Sequence, residues 1–116
     1  MTMSQVLDIL REVKSNIQVC DDTSTMDHEF SRAIRCVEQV KSALLDETKR
    51  NQLELFLGSM RYTATREGGR MLRSERNSRK SRANQDDKGR ASDRFLEARA
   101  QMVRDIESAI LRLQEL

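Results

Sequence analysis

The sequence predicts an all-α fold, and two of its features carry that prediction. The chain has no Pro and only four Gly in 116 residues, with 34% of them charged, and Leu, Arg, Glu, Gln, Lys, Met and Ala all rank high in helix propensity. Its apolar residues recur at intervals of three and four, the spacing that lines one face of a helix. A third feature bears on assembly. Three Phe, one Tyr and no Trp leave a thin core of Leu, Ile, Val, Met and Ala, and a chain this short buries only about two-thirds of its unfolded surface. A second copy of the chain would supply cover, so the expected architecture is a homodimeric helical bundle.

The first helix is marked by Met3, Val6, Leu10, Val13, Ile17 and Cys20, a 3-4-3-4-3 seam. Thr2 and Gln5 stand three apart, as a capping box requires. The cluster DDTST at 21–25 closes this helix, because Asp, Ser and Thr compete for backbone hydrogen bonds and favour turns and caps. So short a connection makes the next helix antiparallel to the first.

The second helix is expected to open near Asp27, with Asp27 and Glu29 against its positive N-terminus and Phe30, Ala33, Val37, Val40 and Leu44 on its stripe, widened by Ile34. A polar stretch at 46–52 interrupts the stripe, which resumes with Leu53, Phe56, Leu57, Met60 and Ala64. A loop or one long helix would fit. With no Gly or Pro inside the interruption, one continuous or gently kinked helix over 27–66 is favoured, about 60 Å long.

Gly68 and Gly69 read as a helix stop. From there to Ser92 little is apolar beyond Met71 and Leu72, the composition of a segment that stays mobile when free. The last helix begins near Ser92 or Asp93 and carries Phe95, Met102, Ile106, Ala109, Leu113 and Leu116, flanked by Leu96, Val103 and Ile110. So broad an apolar face packs on the helical hairpin or pairs with its own copy. The chain thus divides into a helical core at 1–69, an Arg-rich mobile segment at 70–92 and a C-terminal amphipathic helix at 93–116.

Charge is distributed unevenly. Residues 61–82 hold Arg61, Arg66, Arg70, Arg73, Arg76, Arg79, Lys80 and Arg82 against Glu67 and Glu75, a formal +6 in a chain whose total is +2, so the remainder sums to −4. Arg outnumbers Lys 16 to 5 over the whole chain. The guanidinium, planar and weakly hydrated, makes forked contacts with phosphate that an ammonium cannot. From Arg70 to Arg82 an arginine falls at every third residue, which on a helix fans them over several faces and on an extended chain lines one edge. These eight cations, with Tyr62 positioned to reach a sugar or phosphate, form the candidate polyanion-binding set. A charged linker kept soluble by its arginines is the plainer alternative.

Catalysis finds no support in the sequence. His28, the single histidine, reads as a solvated residue at a helix start, and no phosphate-binding glycine loop or nucleophile elbow is present. Cys20 and Cys36 have neither disulfide-framework nor zinc spacing and read as free packing thiols. Phe56, in register with Leu53 and Met60, reads as core. No apolar run approaches the roughly 20 residues that cross a bilayer, and the N-terminus lacks a secretory leader, so a cytoplasmic protein is expected, with no cofactor, metal or small-molecule substrate.

A short amphipathic first helix, a long second one with Arg and Lys outermost, and the stretch MRYTATR at 60–66 resemble the small B2 proteins of nodaviruses. That resemblance covers about the first two-thirds of the chain. It implies a helical homodimer that binds double-stranded RNA and suppresses RNA silencing in the host cytoplasm, with Arg61 as the RNA-contacting arginine and Arg66 next. A helical adaptor or chaperone is the competing expectation, its stripes at 3–20 and 95–116 binding partner helices and the Arg segment serving as a disordered tether.

Overall fold

A computed structural model describes residues 1–79 and 85–116. Four helices and no strand are found among them: α1 (Met3–Val19), α2 (Thr23–Ala43), α3 (Glu47–Ser78) and α4 (Gln85–Gln114). α1 starts where its capping box predicts. Thr2 Oγ1 accepts from the Gln5 N–H at 3.2 Å, and Gln5 Oε1 accepts from the Thr2 N–H at 2.8 Å. α2 starts four residues before the expected Asp27, because Asp22 caps it by accepting from the Thr25 N–H and hydroxyl. Glu29 therefore lies inside the helix, buried and paired with Arg32 at 2.9 Å, and His28 is exposed one turn in.

The continuous helix expected over 27–66 is broken. Leu44 leaves α2 with extended backbone (φ −76°, ψ 134°), and three residues later the chain turns back as α3. The cause is Asp46, whose carboxylate accepts from the Lys49 N–H at 3.1 Å while its carbonyl accepts from Arg50 N–H at 3.0 Å. A capping side chain breaks a helix as well as Gly or Pro does, by offering the first turn an alternative partner. The stop expected at Gly68–Gly69 does not occur: α3 runs through both to Ser78, and neither has the positive φ of a glycine cap. Arg66, Glu67, Arg70, Met71 and Leu72 around them are strong helix formers. α4 likewise begins before the expected Ser92. The boundaries at 69/70 and 92/93 fall inside helices. The mobile segment expected at 70–92 is thus helical through Ser78 and from Gln85 on, and its centre, 80–84, lies outside the described residues.

The helices alternate in direction around a ring, α1 packing on α2 and α4, α3 on α2 and α4, with α2 and α4 meeting across the diagonal. Lys14–Glu107 and Arg99 donating to the Cys20 carbonyl (3.3 and 3.1 Å) fix α1 antiparallel to α4. Lys41–Glu54 and Arg61–Glu38 do the same for α2 and α3. Val6, Leu10, Val13 and Ile17 of α1 meet Met26, Phe30, Ala33, Val37 and Val40 of α2, Leu53, Phe56, Leu57 and Met60 of α3, and Ala98, Met102, Ile106, Ala109 and Leu113 of α4 in one core. Cys20 and Cys36 are buried free thiols within it, their pKa values pushed up by burial. The broad apolar face of the last helix thus packs on the other three helices within a single chain.

α3 and α4 are nearly twice as long as α1, and among the described residues their buried side chains end at Thr63 and begin at Ala98, with Ala64 and Phe95 partly buried at the edge of the core. Beyond the α1–α2 turn they run on as a two-helix arm, which accounts for a 55 × 23 × 17 Å envelope.

Candidate nucleic-acid interface

The arm divides the charge of the molecule. Residues 64–97 hold ten Arg and Lys against six Asp and Glu, a net +4, and the four-helix body holds eleven against thirteen, a net −2. On α3, at 100° per residue, Gly58, Tyr62, Arg66, Gly69, Arg73 and Arg76 fall within an arc of about 80°, opposite the buried line of Leu53, Phe56, Leu57 and Met60. Tyr62, Arg66, Arg73 and Arg76 are exposed and Arg70 is half-buried at the flank. The expected fan of arginines is present from Arg70 to Arg76, and Arg79 follows just past the helix end, exposed. Lys80 and Arg82 lie outside the described residues.

Arg61 is placed differently from its neighbours. It sits at the other flank, where Nη2 meets Glu38 Oε1 at 3.1 Å and Nη1 meets Glu54 Oε1 at 3.0 Å, while Lys41 Nζ takes the second Glu54 oxygen at 2.6 Å. Hydrogen bonds from Lys41 and Arg61 hold the Glu54 carboxyl below its ordinary range, and those to Glu54 and Glu38 raise the guanidinium's affinity for its proton. The first-ranked candidate for a phosphate contact is thus a strut joining α2 to α3. Its partner Glu54 is readable at i−7 on the same helix; Glu38, on another helix, has no local signal.

Four other arginines of the set are placed differently. No ion pair among the described residues involves Arg66, Arg70, Arg73 or Arg76. Arg66 lies over the Tyr62 ring, 5.9 Å from its centroid. The other rings are taken up by packing: Phe30 and Phe56 are buried, Phe56 beneath Arg112 at 4.6 Å, and Phe95 packs against the core beneath Arg99 at 5.7 Å. Tyr62 is 62% exposed. Missed in the sequence were the helical glycines beside it, which the Gly-Gly stop signal obscured.

Among the described residues no cluster of His, Cys, Asp and Glu could hold a metal ion, and no helix is long and apolar enough to cross a membrane. Compared with known proteins, the chain matches no family, no curated protein and no solved structure.

Proposed function

We propose that the protein binds duplex RNA without regard to base sequence, through the outward face of α3 and the arm to which that face belongs. The observation that supports this reading is a row of exposed arginines with no carboxylate partner among the described residues on one helical face, Arg66, Arg73 and Arg76, in a stretch, 64–97, whose sequence carries a net +4 while the rest of the chain sums to −2. A-form RNA hides its bases in a narrow major groove, so a protein that takes any duplex does so through phosphates and 2′-hydroxyls, which asks for a stiff basic surface and no base-reading motif. From Arg66 to Arg76 the helix rises about 15 Å, enough to address successive phosphates. A duplex held this way is shielded from processing nucleases without any catalytic step, the sense in which the protein would suppress RNA silencing.

The adaptor reading is less favoured. The stripes it offers to partner helices, at 3–20 and 95–116, are taken up in the core of the bundle from Val6 to Cys20 and from Ala98 to Leu113. Gel-shift titration of blunt 25-base-pair RNA, matched DNA and single-stranded RNA tests the proposal. Duplex RNA should bind most tightly, and replacing Arg66, Arg73 and Arg76 with Gln should cost roughly 1–2 kcal/mol per arginine, the scale of a charge-assisted hydrogen bond, with helical circular dichroism retained. Equal affinity for DNA, or a triple variant that binds like the parent, would reject it.

A further inference from the structure

Three glycines lie inside α3, and the fold asks for none of them. Each has ordinary negative φ, and a methyl group built on Gly58, Gly68 or Gly69 would meet nothing within 4 Å. Glycine inside a helix is destabilising relative to Ala, so its use where neither backbone conformation nor packing needs it points to something outside the chain that approaches the backbone. Gly58 lies one turn before Tyr62, and Gly69 two turns after it, on the same face. They leave bare helix on either side of the only aromatic ring that is mostly exposed, with the Arg66 guanidinium over that ring.

We infer that Tyr62 and Arg66, framed by the bare backbone at Gly58 and Gly69, form a stacking site for an unpaired nucleobase, one that extends from the end of the bound duplex. The inference rests on the proposal that the arm binds RNA and adds to it a preference among RNAs. A base inside a duplex has both faces covered by its neighbours. A base in a single-stranded extension has a free face, and every base stacks on aromatic rings and guanidinium planes whatever its identity. The plane of a base is wide, and side chains at 58 and 69 would stand in its way. An Arg–Tyr pair four residues apart also occurs as a simple helix-surface contact, but that role leaves the flanking glycines unexplained.

Tyr62 is the only tyrosine and there is no Trp, so the intrinsic emission of the full-length protein reports on this ring alone. The experiment compares a blunt duplex RNA, the same duplex with a three-nucleotide 3′ extension, and the same extension made abasic, at matched absorbance. The base-bearing extension should quench the emission and bind about fivefold or more tighter than the abasic one, the lower bound for stacking one base. Tyr62→Phe should keep that difference and Tyr62→Ala should remove it. Gly58→Gln should melt no lower than the parent yet lose the difference. Equal binding of base-bearing and abasic extensions by the parent, or a difference that survives Tyr62→Ala, would overturn the inference while leaving duplex binding intact. Failure of every RNA to bind would remove the underlying proposal and this inference together.

Discussion

Asp22 shows how much a single side chain decides. Its carboxylate accepts from the Thr25 backbone N–H and the Thr25 hydroxyl, which favours the charged form and holds its pKa below the ordinary Asp value. The folded chain therefore binds this proton more weakly than the unfolded chain. Stability from the cap is full above the unfolded pKa, near 3.9, and is lost as the pH falls from there through the lower folded value. Asp22→Asn keeps an acceptor for the Thr25 N–H but no longer titrates. The melting temperature of the parent should thus fall more steeply below about pH 4 than that of Asp22→Asn; parallel curves would show that the cap contributes nothing. The start of α1 was legible because Thr2 and Gln5 form a pair with defined spacing. The start of α2 was not, because Asp21, Asp22, Thr23, Ser24 and Thr25 are all competent caps and nothing local selects among them. Most of the buried stripes followed from periodicity, since burial at three- and four-residue spacing is a property of one helix at a time, but Met3 and Leu116 at the chain ends are exposed, and buried Met26 and Ala98 were not placed on a stripe. The ion pairs of Arg61 were not legible for the opposite reason: half of what holds it, Glu38, lies 23 residues away on a neighbouring helix.

At the level of elements, α2 and α3 are clamped from outside the core by the chain Lys41–Glu54–Arg61–Glu38. Arg61→Gln breaks the middle of that chain and leaves Glu38 without its partner. Its expected signature is a lower melting temperature, with affinity for RNA falling less than in Arg66→Gln, because a guanidinium already shared by two carboxylates has little to offer a phosphate. A larger affinity loss in Arg61→Gln than in Arg66→Gln, at matched helical content, would place Arg61 back in the interface. The division of the chain into helices was only partly legible. Gly68 and Gly69 look like punctuation, yet in α3 they sit among strong helix formers and the backbone passes through. Leu44, Leu45 and Asp46 look like helix, yet Asp46 supplies a cap that starts a new one. Propensity ranks residues singly, whereas a boundary is settled by whether a polar side chain takes over a backbone partner.

The molecule as a whole joins a closed four-helix body to a two-helix basic arm, and both halves make predictions. A body whose apolar stripes face one another has no need of a second copy, so sedimentation equilibrium of the free protein should return the 13.5 kDa mass of one chain. Twice that mass at micromolar concentration would show that exposed apolar residues such as Leu45, Leu55 and Leu111 are covered by a partner copy. The arm, with its arginines turned outward and the body's net charge opposite in sign, ties affinity to counterion release. The most direct test is therefore the salt dependence of duplex-RNA binding. Each phosphate neutralised contributes a slope of roughly 0.9 when the logarithm of affinity is plotted against the logarithm of salt concentration. The parent should give a straight line falling by about three units or more per decade, and the Arg66, Arg73 and Arg76 to Gln variant a line shallower by about two to three units. A parent slope near zero, or a variant with the parent's slope, would contradict binding of duplex RNA by the outward arginines of α3.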